Sequence, residues 1–257
     1  MSRWKAASIH ASISVAIGLV VGALLLFVWY PPPYFRAAGA DVLVLLLVGV
    51  DIVLGPLLTL VVFKSGKRGL RFDLACIALA QAIALAYGLS VVLRSRPVFV
   101  VAAVDRFVLV SASDLDAADL AEGSRPEFRS LSYTGPRTVG AILPKDYAER
   151  TRMAFNPGGK DIDRLPRLYV DYPEVAPKLL SRARPVRELL DGRGAQERGA
   201  LASALARIGR AADDVAWVPL VARKANLVML LDPAAGTPLG AVAVDPWPNQ
   251  RARNVKQ

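Results

Sequence analysis

The chain has 257 residues, of which 54% are hydrophobic and 21% charged, and its mean hydropathy is +0.37. Soluble domains usually contain ~45–50% apolar and ~25% charged residues, so this composition is typical of a membrane protein. The net charge of +10 is unevenly distributed: residues 1–93 contain seven Lys or Arg and three acidic residues, whereas residues 94–257 contain 25 and 19. The chain therefore has an apolar N-terminal part and a charged C-terminal part.

Cysteine and histidine are nearly absent, which excludes several chemistries. Cys76 is the single cysteine, so no disulfide can form within the chain, and His10 is the single histidine. Residues 94–257 contain neither residue, which excludes His-ligated zinc and Ser-His-Asp or Cys-His catalysis in that part. We therefore expect no catalytic residue, no metal ligands and no cofactor.

Three apolar segments have the length of a membrane span. Residues 9–29, 42–63 and 74–93 contain 21, 22 and 20 residues, and a helix of ~20 residues crosses the ~30 Å hydrocarbon core. The first segment is longer than the ~7–15 apolar residues of a signal peptide, so we interpret it as an uncleaved anchor. Buried core helices in a soluble domain are the alternative. Three consecutive segments with short loops favour a transmembrane region over residues 1–93.

Basic residues near the segment ends predict the orientation. Arg3 and Lys5 precede the first segment, and only Arg36 follows it. The loop between the second and third segments contains four basic residues, which are Lys64, Lys67, Arg68 and Arg71. Because Lys and Arg concentrate in cytoplasmic loops, we predict a cytoplasmic N-terminus and an outer C-terminal domain, periplasmic in a Gram-negative inner membrane. Arg94 and Arg96 lie on the predicted outer side, which is contrary to the usual distribution of basic residues, but long domains translocate largely regardless of charge.

The second segment contains one charged residue, Asp51. It lies nine residues from the outer end, or ~14 Å at 1.5 Å per residue, close to the middle of the bilayer. An aspartate there is unfavourable by ~2.5–3.5 kcal/mol, so we expect it to face protein and find a partner. Gln81 in the third segment lies within one helical turn of the same depth. His10 lies more than two turns away, so of these two residues only Gln81 is a geometrically possible partner of Asp51.

Other polar and small residues share helix faces with Asp51 or with each other. Gly55 and Thr59 follow Asp51 at intervals of four, and Pro56 cannot donate a main-chain hydrogen bond, which predicts a kink. Gly18 and Gly22 form a small-xxx-small pattern that lets helices approach closely. The candidate residues for membrane-helix recognition and packing are Gly18, Gly22, Asp51, Gly55, Pro56, Thr59 and Gln81. They either pack the three helices together or leave a face for another protein's helix.

The sequence pattern predicts an α+β domain with an antiparallel sheet over residues 94–248. Predicted strands cover residues 97–104, 107–112, 216–221, 227–231 and 239–244. Predicted helices cover residues 114–121, 144–155, 172 or 174–181, 185–190 and 195–210, with residues 123–135 as a loop and 156–159 ending the second helix. We expect the polar tail, residues 249–257, to be disordered.

The charge of the C-terminal part does not indicate nucleic acid. Its basic residues are spread along the chain without an aromatic-basic cluster, which is typical of a solvated surface. Asp161 and Asp163, like Asp213 and Asp214, lack the Gly and Glu spacing of an EF-hand calcium loop. We interpret these aspartates as turn and cap residues and expect no nucleic-acid partner.

Several short motifs occur in a recognisable order. They are Trp29-Tyr30-Pro31, Val50-Asp51-Ile52-Val53-Leu54-Gly55-Pro56, Ala84-Leu85-Ala86-Tyr87-Gly88, Arg96-Pro97-Val98, Gly159-Lys160-Asp161 and Val244-Asp245-Pro246-Trp247. In this order the chain resembles the type IV pilin accessory proteins of the TfpX/TfpZ kind, most closely in residues 29–107. The resemblance implies an inner-membrane protein that helps a particular pilin accumulate or assemble, without catalysing a reaction.

The predicted function is therefore that of a chaperone-like accessory factor for type IV pilus assembly. Its helices would hold the apolar helix of the major pilin within the lipid, while the α+β domain contacts the pilin head. A membrane sensor with a ligand-binding outer domain and a pilin-modifying enzyme are the alternatives. The expected partners are the pilin and membrane lipid, and the sequence leaves the oligomeric state and the identity of the pilin open.

Overall fold

The N-terminal part is a bundle of three long helices in a computed structural model that describes residues 2–155 and 160–247. They are α1 (Arg3–Leu24, continued by a π-turn over Leu25–Trp29), α3 (Ala40–Val62) and α4 (Leu70–Ser95); the short α2 (Tyr34–Ala37) precedes α3. By length and composition each long helix could cross a membrane. The three helices predicted from the apolar segments are therefore present.

Local sequence explains where these helices begin. Ser2 caps α1, since its hydroxyl accepts a hydrogen bond from the Lys5 main-chain nitrogen at 3.2 Å. Gly39 and Gly69 precede α3 and α4 with φ of +81° and +85°, a conformation that glycine adopts without a Cβ clash. Large apolar side chains stay exposed on the bundle, such as Phe27 at 80% and Val61 at 82%. Such a surface suits lipid rather than water.

The described residues between 96 and 247, here called the sheet domain, form a sheet of eight strands. They are β1 (Pro97–Ala103), β2 (Arg106–Ser111), β3 (Arg137–Ala141), β4 (Tyr169–Asp171), β5 (Arg184–Pro185), β6 (Ala216–Val221), β7 (Leu227–Leu231) and β8 (Pro238–Val242). Their order is β4-β3-β1-β2-β6-β7-β8, and β5 pairs with β6. The five predicted strands all occur, with ends within two residues.

The predicted antiparallel sheet is wrong, because the sheet is mixed. β1 pairs with β3 in parallel, from Phe99 opposite Arg137 to Ala103 opposite Ala141, and β2 pairs with β6 in parallel. The other pairs are antiparallel. Antiparallel β2 returns the chain to the end of the sheet where β1 begins, so β3 starts at that end and runs parallel to β1 along its other edge. β6 in turn starts at the end where β2 starts and joins the free edge of β2 in the same direction. β3, β4 and β5 are not among the strands predicted from the sequence.

Helices cover both faces of the sheet. They are α5 (Ala117–Ala121), α6 (Tyr147–Phe155), α7 (Tyr172–Leu180), α8 (Val186–Leu190) and α9 (Ala195–Ile208). Val100 and Ala102 of β1 pack on one face with α7, whereas Phe99 and Val101 pack on the other. β1 is thus buried on both faces, which explains its uninterrupted apolar sequence. The predicted helix end at residues 156–159 and the predicted disordered tail, residues 249–257, lie outside the described residues.

The sheet domain packs directly against the helix bundle. Ala37 of α2 belongs to the core cluster formed by α7 and the sheet, and its carbonyl accepts from the Lys224 main-chain nitrogen at 2.9 Å. The Lys224 ammonium lies 3.4 Å from Asp41 at the start of α3. The fully buried Tyr30 donates its hydroxyl hydrogen to the Val92 carbonyl at 2.7 Å, which ties the end of α1 to α4.

Candidate functional site

The predicted contact between Asp51 and Gln81 is present at the centre of the bundle. Gln81 Nε2 donates to Asp51 Oδ1 at 2.9 Å and lies 3.2 Å from the Asp51 main-chain oxygen. Both side chains are half-buried. A hydrogen bond between helices in an apolar environment compensates part of the cost of placing the carboxylate there. The bond therefore joins α3 to α4 at the depth that the sequence indicated.

Gly55 makes this contact possible. It lies one turn after Asp51, and an added Cβ would lie 2.8 Å from Gln81 Cδ and closer still to Gln81 Nε2. Real Cβ atoms do not approach other atoms so closely, so a side chain at residue 55 would displace the Gln81 amide. The absence of a side chain at Gly55 thus provides the space that Gln81 occupies.

Thr59 takes part in a different contact from the one that the sequence suggested for this face. It is buried, and its Oγ1 lies 2.6 Å from His10 Nδ1 of α1. Residue depth excludes a contact of His10 with Asp51, and a contact of His10 with Thr59 is not among the predictions from the sequence. The depths of His10 and Thr59 along their helices nevertheless agree, because both residues lie near the end of the bundle that carries the N-terminus.

The remaining predicted residues differ in their surroundings. An added Cβ on Gly18 would lie 3.1 Å from Val48 Cγ1, so α1 and α3 approach closely there. A Cβ on Gly22 would meet nothing within 4 Å, so the second glycine of the small-xxx-small pattern makes no close helix contact among the described residues. Pro56 lies inside α3, which continues to Val62. The structure thus brings Asp51, Gly55 and Gln81 together and leaves Gly22 apart.

A cleft of about 250 Å³ opens between α3 and α4, and we call it the α3–α4 cleft. Its lining residues are Leu43, Leu47, Val50, Asp51, Ala84, Leu85, Tyr87, Gly88, Val91 and Val92. The two helices meet closely at Gly88, where an added Cβ would overlap the Leu47 side chain. The cleft occupies the half of the bundle nearest the sheet domain. All its lining residues are apolar or small except Asp51 and Tyr87.

Asp51 in the wall of this cleft accepts a hydrogen bond at only one of its two carboxyl oxygens among the described residues. Asp51 accepts from Gln81 through Oδ1 and its main-chain oxygen, and within the described residues no hydrogen bond to Oδ2 is present. Tyr87 on the opposite wall is exposed. A carboxylate oxygen without a donor in an apolar cleft favours a ligand that supplies a donor.

Arg96 fixes the junction between α4 and the sheet domain, a role that its place in the sequence motif and its charge do not indicate. It is buried, with Nε donating to the Ser132 carbonyl at 2.9 Å and Nη1 to the Leu93 carbonyl at 2.6 Å. Its guanidinium lies 4.5 Å from the centre of the Tyr133 ring. Burial lowers the pKa of Arg96. Arg96 therefore counts as an internal group rather than as a free surface charge.

The fold and the cleft define a class of protein in which three helices of membrane length carry a mixed-sheet domain. Within the described ranges, no group of three or more His, Cys, Asp or Glu residues could hold a metal ion. A family model described as "Fimbrial assembly protein FimB" matches residues 1–39. No solved structure matches the chain.

Relatives from Dichelobacter nodosus extend this match, and two of them do so over most of the chain. The fimbrial assembly proteins of serogroup I and of serogroup E1 are each 30% identical over 234 residues, which cover 89% of this chain and 90% of the relative. The fimbrial assembly protein of serogroups C1 and C2 is 34% identical over 113 residues, or 43% of this chain and 86% of the relative. The chain belongs to the fimbrial assembly protein family, which confirms the resemblance to type IV pilus accessory proteins and supports a role in fimbrial biogenesis.

Proposed function

We propose that this chain is an inner-membrane assembly factor for a type IV pilin. It binds the single apolar helix of the major pilin in the α3–α4 cleft, while the periplasmic sheet domain contacts the globular part of the same pilin. It acts by binding and stabilising rather than by catalysis. The family relationship supports the role in fimbrial biogenesis, and the cleft supports the mechanism.

The observation that carries the proposal is the partly satisfied Asp51 in an otherwise apolar cleft. A cleft of this size accepts the side chains of one helix face, and lipid tails could fill it equally well. Lipid tails cannot donate a hydrogen bond to Asp51 Oδ2, whereas a helix with a polar side chain at this depth can. The Asp51 carboxylate therefore favours a protein helix over lipid as the occupant.

The sheet domain lies where it can contact the globular part of a pilin bound to the helix bundle. Its docking through Ala37, Lys224 and Arg96 holds it close to the end of the bundle where the cleft lies. A pilin bound through its membrane helix would therefore have its globular part beside the sheet domain. Residues 94–257 contain no histidine or cysteine, and this composition favours a binding role.

Co-purification from detergent tests the proposal. The full chain carrying an affinity tag is extracted from cells that make the cognate major pilin, and bound pilin is measured by immunoblot. We expect Asp51→Leu to leave the protein expressed while bound pilin and pilus number fall several-fold. Asp73→Leu, near the start of α4 and outside the cleft, removes an exposed ion pair with Lys67 and is the matched control that should retain pilin.

Two outcomes would contradict the proposal. The first is wild-type protein that retains no pilin under conditions in which the bundle stays folded. The second is Asp51→Leu protein that retains pilin and supports normal piliation. A loss of pilin modification without a loss of pilin would instead indicate an enzyme.

A further inference from the structure

A second cleft lies at the end of the sheet domain farthest from the helix bundle. It has a volume of about 340 Å³ and lies where the parallel strands β1 and β3 end; we call it the β1–β3 cleft. In open sheets, ligands bind outside the carboxyl ends of parallel strands, because the chain diverges there and leaves a crevice. Neither the family relationship nor the proposed membrane contact assigns a role to this cleft.

The wall of the β1–β3 cleft includes apolar side chains that remain open to solvent. Val104 is 51% exposed, Ile142 43% and Leu143 39%, and they adjoin the buried residues Ala102 and Ala141. Tyr147 and Phe155 of the neighbouring α6 are also largely exposed. Exposed apolar side chains that cluster beside a cleft indicate a contact surface, whereas single ones do not.

The rim of the cleft is positively charged, and among the described residues its basic side chains have no paired carboxylate. Lys145, Arg150 and Lys178 line it, and within the described residues none of them has a carboxylate oxygen within 4 Å. The single acidic lining residue is Glu174, which is engaged elsewhere. Its carboxylate lies 3.2 Å from Arg125 and accepts from the Asp171 main-chain nitrogen at 3.3 Å. The cleft therefore presents an unbalanced positive charge around an apolar wall.

The adjacent and larger cleft, of about 550 Å³, does not present the same unbalanced positive charge. Its charged residues mostly pair with acidic groups of the sheet domain: Arg106 binds Asp105 at 2.8 Å, and Lys160 binds Asp116 and Asp119. Charge complementarity to an external ligand is consequently weaker there. The two clefts share Val104, Leu143 and Arg150, so a ligand in the β1–β3 cleft would still contact the edge of the larger one.

Val104 is held in an unusual conformation at the junction of the clefts. Its φ is +59°, and the Asp105 main-chain nitrogen donates to the Ala103 carbonyl at 2.7 Å, which forms a tight γ-turn around Val104. A β-branched residue at positive φ is a strained exception, and such strain concentrates at functional sites. The turn keeps an apolar side chain at the cleft where glycine would relieve the strain.

We propose that the β1–β3 cleft binds an acidic surface segment of the pilin's globular part, with an apolar side chain of that segment against Val104 and Ile142 and its carboxylates beside Lys145 and Lys178. This inference rests on the proposed function, because it assumes a pilin held by the bundle. The seven residues of β1 span about 23 Å at ~3.3 Å per residue, so the cleft lies at the height of a globular domain above the membrane.

Photocrosslinking in the full-length protein tests this binding site. Ile142 is replaced by p-benzoyl-L-phenylalanine in cells that make the cognate major pilin, and ultraviolet adducts are identified by immunoblot against pilin. We expect a pilin adduct whose yield falls at least fivefold when Lys145→Glu and Lys178→Glu are combined. Arg198→Glu, an exposed basic residue on α9 away from the cleft, is the matched control and should preserve the adduct.

The outcomes separate this inference from the proposed function. If pilin co-purifies through the bundle but no adduct forms at residue 142, the β1–β3 cleft is not the contact and the membrane proposal stands. An adduct with a second copy of this chain, or a pilin adduct that the charge reversal leaves unchanged, would also overturn the inference. If pilin neither co-purifies nor crosslinks, the proposed function fails together with it.

Discussion

The side-chain amide of Gln81 occupies the space beside Gly55 that any other residue would fill with its Cβ. Gln81 reaches Asp51 because Gly55 lies one turn further along the same face of α3. The hydrogen bond between α3 and α4 therefore depends on Gly55, because a larger residue at this position would prevent Gln81 from reaching Asp51.

We expect Gly55→Ala to break the hydrogen bond between Gln81 and Asp51. The added methyl group displaces the Gln81 amide, and an interhelical hydrogen bond within a membrane contributes about 0.6–2 kcal/mol. Thermal unfolding in detergent should show a lower Tm, together with reduced pilin retention. Gly49→Ala is the matched control on the same helix, because its Cβ meets nothing within 4 Å. Equal Tm values for the two variants would show that the Gln81 contact does not stabilise the bundle.

Replacing Arg96 should loosen the junction between α4 and the sheet domain. Arg96→Met removes the donors to the Ser132 and Leu93 carbonyls, and a buried acceptor left without a partner costs about 1–3 kcal/mol. Hydrogen–deuterium exchange should become faster in residues 128–136. The neighbouring exposed Arg94→Met serves as the control. Unchanged exchange in the Arg96→Met protein would rule out this role.

Val104→Gly should make the sheet domain more stable. Glycine relieves the positive-φ strain of about 1–3 kcal/mol and loses about 0.5–1 kcal/mol through the greater freedom of the unfolded chain, so we expect a gain of about 1 kcal/mol. Denaturant unfolding of the full chain measures the change. Ala103→Gly, in regular β1 geometry, should instead lower stability. A destabilised Val104→Gly protein would mean that its side-chain contacts outweigh the strain.

Asp163 supports a pH-dependent prediction. Burial raises the pKa of its carboxyl, and its closest cation, Arg164, lies 3.9 Å away. The charged form is therefore disfavoured in the folded state at pH 7, and this penalty disappears as the pH falls and the carboxyl is protonated. We expect Asp163→Asn to raise the Tm at pH 7 and to raise it less at pH 4.5.

The exposed Asp191→Asn provides the control for this pair of measurements and should change neither value. The Tyr169 hydroxyl donates to the Asp163 main-chain carbonyl, so the substitution leaves that contact intact. A larger gain at pH 4.5 than at pH 7 would contradict the direction of the pKa shift.

The amino-acid sequence by itself determined the three long helices, five of the strands and the contact between Asp51 and Gln81. These features follow from local properties: the length of an apolar run, the alternation of side chains, and the depth of a residue counted along a helix. Counting along a helix works because its rise per residue is fixed. Two polar residues in neighbouring helices therefore meet when their depths agree, as Asp51 and Gln81 do.

The tertiary structure alone decided the mixed sheet, the role of Arg96 and the charge balance of the two sheet-domain clefts. β3 begins with two exposed residues, Arg137 and Thr138, and β4 has only three residues, so neither carries a strand pattern strong enough to read. Their pairing depends on strands that lie far away in the chain, because β3 pairs with β1 and β4 pairs with β3. Whether a charged side chain is paired, buried or free likewise depends on which distant residues the fold places beside it. The order of residues along the chain does not state how close two distant residues lie in the folded protein.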